Sequence, residues 1–227
     1  MTPAELCRLD EDLAATVRRG EHLNRIATAA CTAIIIGSAL YGAVFGMWRS
    51  PIQAIYSAFK MPVLIFSVTG VSIMINTMIA QALGSGLTFR IVGTCMLLSF
   101  AVTSILLAAM SPVMLFFSLQ CPEPGSPGDL LAYRVLLPAH TMVVGFCGFL
   151  GNVKLHRFLR RLIDPPRLGN RVLMAWILVS GLAGCELSWV ISPFLARPDL
   201  PIPFFNPNAV LGNFFEYLFR TCSGMLR

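Results

Sequence analysis

Five long apolar stretches, separated by short polar segments, dominate this chain of 227 residues. A run of ~20 apolar residues rising 1.5 Å each covers the ~30 Å hydrocarbon layer of a bilayer, so each stretch is long enough to cross. The chain is therefore expected to be all-α: a polytopic integral membrane helical bundle of about five transmembrane helices plus interfacial amphipathic helices. Apolar residues make up 56% of it and charged residues only 12%, against a usual ~25%, which leaves too little polar surface for a water-soluble fold of this size. The net charge of +6 does not point to nucleic acid, because the cations gather in a short inter-helix segment rather than in an aromatic-studded groove. The lipid bilayer, with anionic lipids at the cytoplasmic face, is the expected partner instead.

Three parts follow from the pattern. Residues 1–23 form an N-terminal cytoplasmic amphipathic helix, opened by a capping box of Thr2, Pro3 and Glu5 and striped by Leu6, Leu9, Leu13 and Val17. It lacks the charged-then-apolar order of a cleaved signal peptide, so the segment is expected to be retained, as a surface helix or a partner-docking one. Residues 24–194 hold the five-span bundle, with spans near 24–48, 61–83, 87–110, 134–153 and 172–194. Between the first two, Ile52, Ile55, Tyr56 and Phe59 recur at helical spacing behind Ser50 and Pro51, which predicts a short separate helix lying in the interface. The Pro- and Gly-rich loop 120–128 belongs outside hydrocarbon, where water can satisfy its backbone. Residues 195–227 form a Pro-rich segment and a C-terminal interfacial helix, with Leu211, Phe214, Phe215 and Leu218 opposing Asn213, Glu216 and Arg220.

Short loops rich in Lys and Arg stay in the cytoplasm. With the N-terminus inside, the cytoplasmic cations are Arg8, Arg18, Arg19, Arg25, Arg90, Lys154, Arg157, Arg160, Arg161, Arg167 and Arg171. The outer ones are Arg49, Lys60, Arg134, Arg197, Arg220 and Arg227, and this imbalance predicts N-in, C-out. Trp48, Tyr56, Tyr133 and Trp189 then mark the outer boundary and Trp176 the inner one. The connector after the fourth span reads as a basic amphipathic helix ended by Pro165 and Pro166. Lys154, Arg157, Arg160 and Arg161 are its candidate anionic-lipid contacts, and Leu155, Phe158, Leu159 and Leu162 its apolar face.

Candidate helix-packing positions are Ser38, Gly42 and Gly46 in the first span, Gly145, Gly148 and Gly151 in the fourth, and Ser180 with Gly184 in the fifth. Such patterns serve contacts inside one bundle, a homo-oligomer seam, or the helix of a membrane-protein partner. Ionisable groups inside spans are the default functional candidates, and here they are Glu186 and His140, a candidate intramembrane polar site. If they meet, they can shuttle a proton or bind a cation; a structural hydrogen bond, or a carboxylate reaching headgroups, needs no such activity.

Metal and cofactor chemistry is not expected, since His22, His140 and His156 fall at different depths and the seven cysteines show no paired spacing. Cys121 and Cys222 fall on the outer side, where a disulfide is conceivable; Cys7 faces the cytoplasm. No phosphate loop, nucleophile elbow or paired-carboxylate constellation occurs, so no catalytic residue is assigned.

The run Tyr41-Gly42-Ala43-Val44-Phe45-Gly46, then Gln53, Tyr56, Ser57, Lys60 and Pro62, then Trp189, Pro193 and Phe194, and finally Asn213, Phe214, Phe215 and Glu216, resembles an uncharacterised bacterial membrane-protein family. Members sometimes carry an actin-binding label, but no Leu-Lys-Lys-Thr-like element stands here to support that role. Five spans with a cytoplasmic N-terminus and a short outer tail are also similar to the Yip superfamily, whose members shape or sort membranes. The expectation is a non-catalytic scaffold, assembly factor or membrane-organising subunit of a bacterial inner membrane. The runner-up is a small transporter or channel subunit built on Glu186 and His140, with Asn76, Gln81 and Asn152 as further polar lining.

Overall fold

The computed structural model describes residues 3–163, 166–200, 202–205 and 212–223. These residues form eight helices: α1 (Pro3–Arg8), α2 (Glu11–Arg19), α3 (Leu23–Met47), α4 (Pro51–Ala82), α5 (Phe89–Leu119), α6 (Asp129–Leu162), α7 (Pro166–Ile191) and α8 (Phe214–Ser223). The helices α3 to α7 are long and apolar enough to cross a membrane, as the hydropathy pattern requires. Their directions alternate, so the bundle has two ends. One carries α1, α2, the connection 83–88 and the end of α6 with the start of α7; the other carries 48–50, 120–128 and the described residues just after α7. The helices α4, α5 and α6, at 32, 31 and 34 residues, are ~46–51 Å long and overrun the ~30 Å hydrocarbon layer.

The overrun explains two departures from the pattern-based reading. Residues 52–59 are not a separate interfacial helix; they are the first turns of α4, capped by Ser50 Oγ accepting from the Gln53 N–H at 3.1 Å. Pro62 removes one backbone donor without ending the helix, and Pro112 and Pro138 are absorbed likewise within α5 and α6. The connector helix is likewise the last turns of α6. Its apolar face turns away from any leaflet, with Leu155, Phe158 and Leu159 fully buried in one cluster with Leu6, Leu9 and Val17.

That cluster also reshapes the N-terminus. The single predicted helix is two, broken where Leu9 adopts φ 45° and Asp10 Oδ1 caps the next helix by accepting from the Leu13 N–H at 3.0 Å. The break lets Leu6, Leu9, Ala14 and Val17 all join the apolar cluster built from the ends of α5 and α6. Gly20, at φ 72°, closes α2 in the left-handed conformation that suits glycine. Thr2, the predicted N-cap, and Leu211 of the tail lie outside the described residues, as do the side chains of Leu218 and Cys222.

Where helices approach most closely, glycine makes room. A Cβ on Gly42 or Gly46 would strike the main-chain carbonyl of Ser57 or Gln53 on α4, and one on Gly37 would strike that of Ser104 on α5. The first-span stripe is thus a seam inside this bundle. Trp176 is buried against α4 and donates from Nε1 to the Asn76 carbonyl at 3.1 Å.

Candidate functional site

After Ile191 the chain leaves the helical path and folds back over α3 and α4, bringing irregular backbone to the edge of the bundle. Carbonyls at such a depth need protein donors, because lipid offers none. One face of α4 supplies them. Gln53 Nε2 donates to the Pro193 and Phe194 carbonyls at 3.0 and 2.9 Å. Ser57 Oγ donates to the Phe194 carbonyl at 2.5 Å, and Lys60 Nζ to that of Pro193 at 3.0 Å. Arg49, just before α4, holds the next stretch through the carbonyls of Arg197, Pro198 and Leu200 at 3.2–3.3 Å. Gln53, Ser57 and Lys60 are buried, whereas Ile52, Ile55 and Phe59 on the opposite face are exposed. The polar face is inside and the apolar face outside, the arrangement that lipid favours.

An aromatic file continues inward from this clasp. Phe194 stacks on Phe45 with centroids 6.0 Å apart, Phe45 stacks on the His140 imidazole at 4.2 Å, and Tyr41 Oη lies 3.0 Å from His140 Nδ1. Phe204 sits 5.0 Å from Lys60 Nζ, a cation–π contact, and 4.9 Å from the Tyr56 ring. Tyr41, Phe45, Gln53, Tyr56, Ser57, Lys60, Pro193 and Phe194, scattered over about 150 residues of chain, converge here. The signal for Gln53, Ser57 and Lys60 was their spacing of four and three residues, which puts them on one helix face. Their burial depends on the segment after α7, which lies far away in sequence.

His140 and Glu186 do not meet as a bonded pair. His140 is enclosed with Tyr41 and Phe45, while Glu186 is exposed on α7, and among the described residues no hydrogen bond or ion pair reaches its carboxylate. Its depth follows from the register. Ser104 is the middle residue of α5, and Met96, eight residues before it, contacts Asn76 of α4, whose carbonyl receives the Trp176 indole. Eight residues on from Trp176 is Gly184, so Glu186 lies about 3 Å from the mid-depth of α5. Ser72 Oγ and Ser180 Oγ, 2.9 Å apart, fit the same register.

The remaining candidates divide between used and open positions. Ser38 is buried and donates to the Ile34 carbonyl at 2.5 Å. Gly151 faces Thr103 and Ser99 of α5, whereas Gly145, Gly148 and Gly184 have open space where a side chain would stand. Asn76 Nδ2 lies against Met96 Sδ at 3.4 Å, Asn152 Nδ2 donates to the Gly148 carbonyl at 2.9 Å, and Gln81 is exposed.

At the N-terminal end Arg161 donates to the Leu9 carbonyl at 3.0 Å and pairs with Glu11 at 3.6 Å, tying α6 to α1 and α2. Arg157 and Arg160 remain exposed, and Lys154 is half-buried beside Cys7. Burial raises the Cys7 thiol above its ordinary value of 9.0, with Lys154 partly offsetting the rise. Cys7, Cys31, Cys95, Cys121, Cys147 and Cys185 are free thiols. Among the described residues no three His, Cys, Asp or Glu side chains converge as metal ligands.

No protein-family model, curated protein or solved structure matches this chain.

Proposed function

We propose that the chain is a non-catalytic subunit of a membrane assembly, a five-helix scaffold in a bacterial cytoplasmic membrane with its N-terminus inside. The observation that carries this reading is that the polar side chains inside the bundle, Gln53 Oε1, Asn76 Oδ1 and Ser104 Oγ apart, are engaged locally. His140 meets Tyr41, Ser72 meets Ser180, Asn76 meets Met96, and Asn152 bonds its own helix, so no continuous file of free polar groups runs from end to end among the described residues. A transport path needs such a file.

The orientation rests on cation distribution. The end carrying α1, α2 and the α6–α7 connection holds Arg8, Arg18, Arg19, Arg157, Arg160, Arg161 and Arg167, and the clasp end is poorer in cations. Of the four predicted lipid contacts, Arg157 and Arg160 are exposed and unpaired among the described residues and so fit to attract anionic lipid, at up to ~1 kcal/mol each near the surface. A membrane-impermeant maleimide added outside intact cells should modify Cys121 and spare Cys7; the reverse pattern would invert the orientation.

The decisive experiment is the mass of the native particle extracted in mild detergent. A scaffold subunit should travel as a defined complex heavier than the 24.8 kDa chain, and reconstituted protein should conduct nothing. A monodisperse monomer with pH-driven flux that stops in Glu186→Gln would replace this reading with a transporter.

A further inference from the structure

The outermost line of α7 is a straight ridge. Met174, Leu178, Leu182, Glu186 and Val190 follow one another at intervals of four, and all are exposed. Four of the five suit lipid. The fifth is a carboxylate about 3 Å from mid-depth, with no partner among the described residues and no water at that level to solvate it. A carboxylate there is costly on a lipid-facing surface, and ionisable groups inside membranes face protein or an aqueous cavity as a rule. Gly181, beside the ridge, has open space where a side chain would stand, so another backbone can come close.

From this juxtaposition we infer that the α7 ridge is a docking surface for a transmembrane helix of a different protein, one carrying a Lys or Arg at mid-membrane that pairs with Glu186. Charge complementarity selects this occupant over a second copy. A twofold contact through the ridge would set Glu186 against Glu186, and the chain's own cation nearest this depth on the clasp side, Lys60, is enclosed in the clasp. A buried ion pair across such a contact fixes register and partner choice more than it adds raw affinity. The inference rests on the assembly-subunit reading and names the chemistry of the partner.

The test uses the full chain in phosphatidylcholine vesicles with three fluorescent polyleucine helices carrying a central Lys, Leu or Glu, and reads energy transfer to a label on the protein. The Lys helix should associate about fivefold more strongly than the other two. That preference should vanish in Glu186→Leu, and association should fall in Gly181→Leu, both variants remaining folded because neither side chain is packed inside the chain. Equal association of the Lys and Leu helices, or a Lys preference that survives Glu186→Leu, overturns the proposal. So does energy transfer between two copies of the protein that is lost in Glu186→Leu, which would make the second copy the occupant. If the native particle is heavy but keeps its mass in Glu186→Leu, this inference fails alone. If it is a monomer, the assembly reading fails with it.

Discussion

The helices α5 and α7 are both long and apolar enough to cross a membrane, yet the most apolar stretch of α5 is mostly buried within the protein and that of α7 hardly at all. The difference lies in what each helix offers its neighbours. Ser99, Ser104 and the main chain around them let Gly37 and Gly151 pack against α5, whereas Gly181 and Gly184 of α7 meet nothing. In lipid, hydropathy selects the helices that cross but gives little force between them, so close backbone approach and polar pairing decide which are central. The same contrast separates His140, whose Nδ1 meets the Tyr41 hydroxyl, from Glu186, whose carboxylate meets no partner among the described residues.

Gly46→Leu places a side chain against the Gln53 carbonyl and should cost about 3 kcal/mol or more, seen as a steep fall in the thermal midpoint in detergent. Gly145→Leu, at an open position, should leave the midpoint within the error of the measurement. A smaller loss, ~1 kcal/mol, is expected for Tyr41→Phe, which takes the hydroxyl from His140 Nδ1.

Smaller again is Arg161→Gln, which frees the Leu9 carbonyl and the exposed Glu11 pair; global stability should change by a few tenths of a kcal/mol at most. Its signature is local. Undocking α1 relieves the burial that raises the Cys7 thiol, so alkylation of Cys7 in opened membranes at pH 8 should quicken. Because that thiol is raised in the docked state, its contribution to docking is complete below the ordinary value of 9.0 and is lost as pH climbs through the raised one. The smallest effect belongs to Glu186→Leu in the isolated chain, where the midpoint should move by less than ~0.5 kcal/mol equivalent. A large loss there would mean that Glu186 is tied into this bundle after all.

Much of this architecture is legible in the sequence. Apolar length gives the five crossing helices, and the triad Ser38, Gly42 and Gly46 marks a real seam. What was not legible depends on contacts distant in sequence. The apolar stripe 52–59 reads as an interfacial helix because Gln53, Ser57 and Lys60 look solvated; only the returning chain at Pro193 and Phe194 turns that face inward. The face of Leu155, Phe158 and Leu159 reads as membrane-seeking because nothing local indicates that α1 and α2 fold back to cover it. His140 and Glu186 sit at compatible places along their helices, but helix rotation, which hydropathy does not encode, turns one inward and the other out.

On the proposed reading, protein covers the outward ridge of α7 in the native membrane. A photo-crosslinking side chain placed at Leu182 on that ridge and, separately, at Met142, an exposed position on α6, tests it in one experiment. Leu182 should give a protein adduct of a single mass that disappears in the Glu186→Leu background, while Met142 gives only lipid adducts. Lipid adducts alone at both positions, or a Leu182 adduct indifferent to Glu186, would contradict the account.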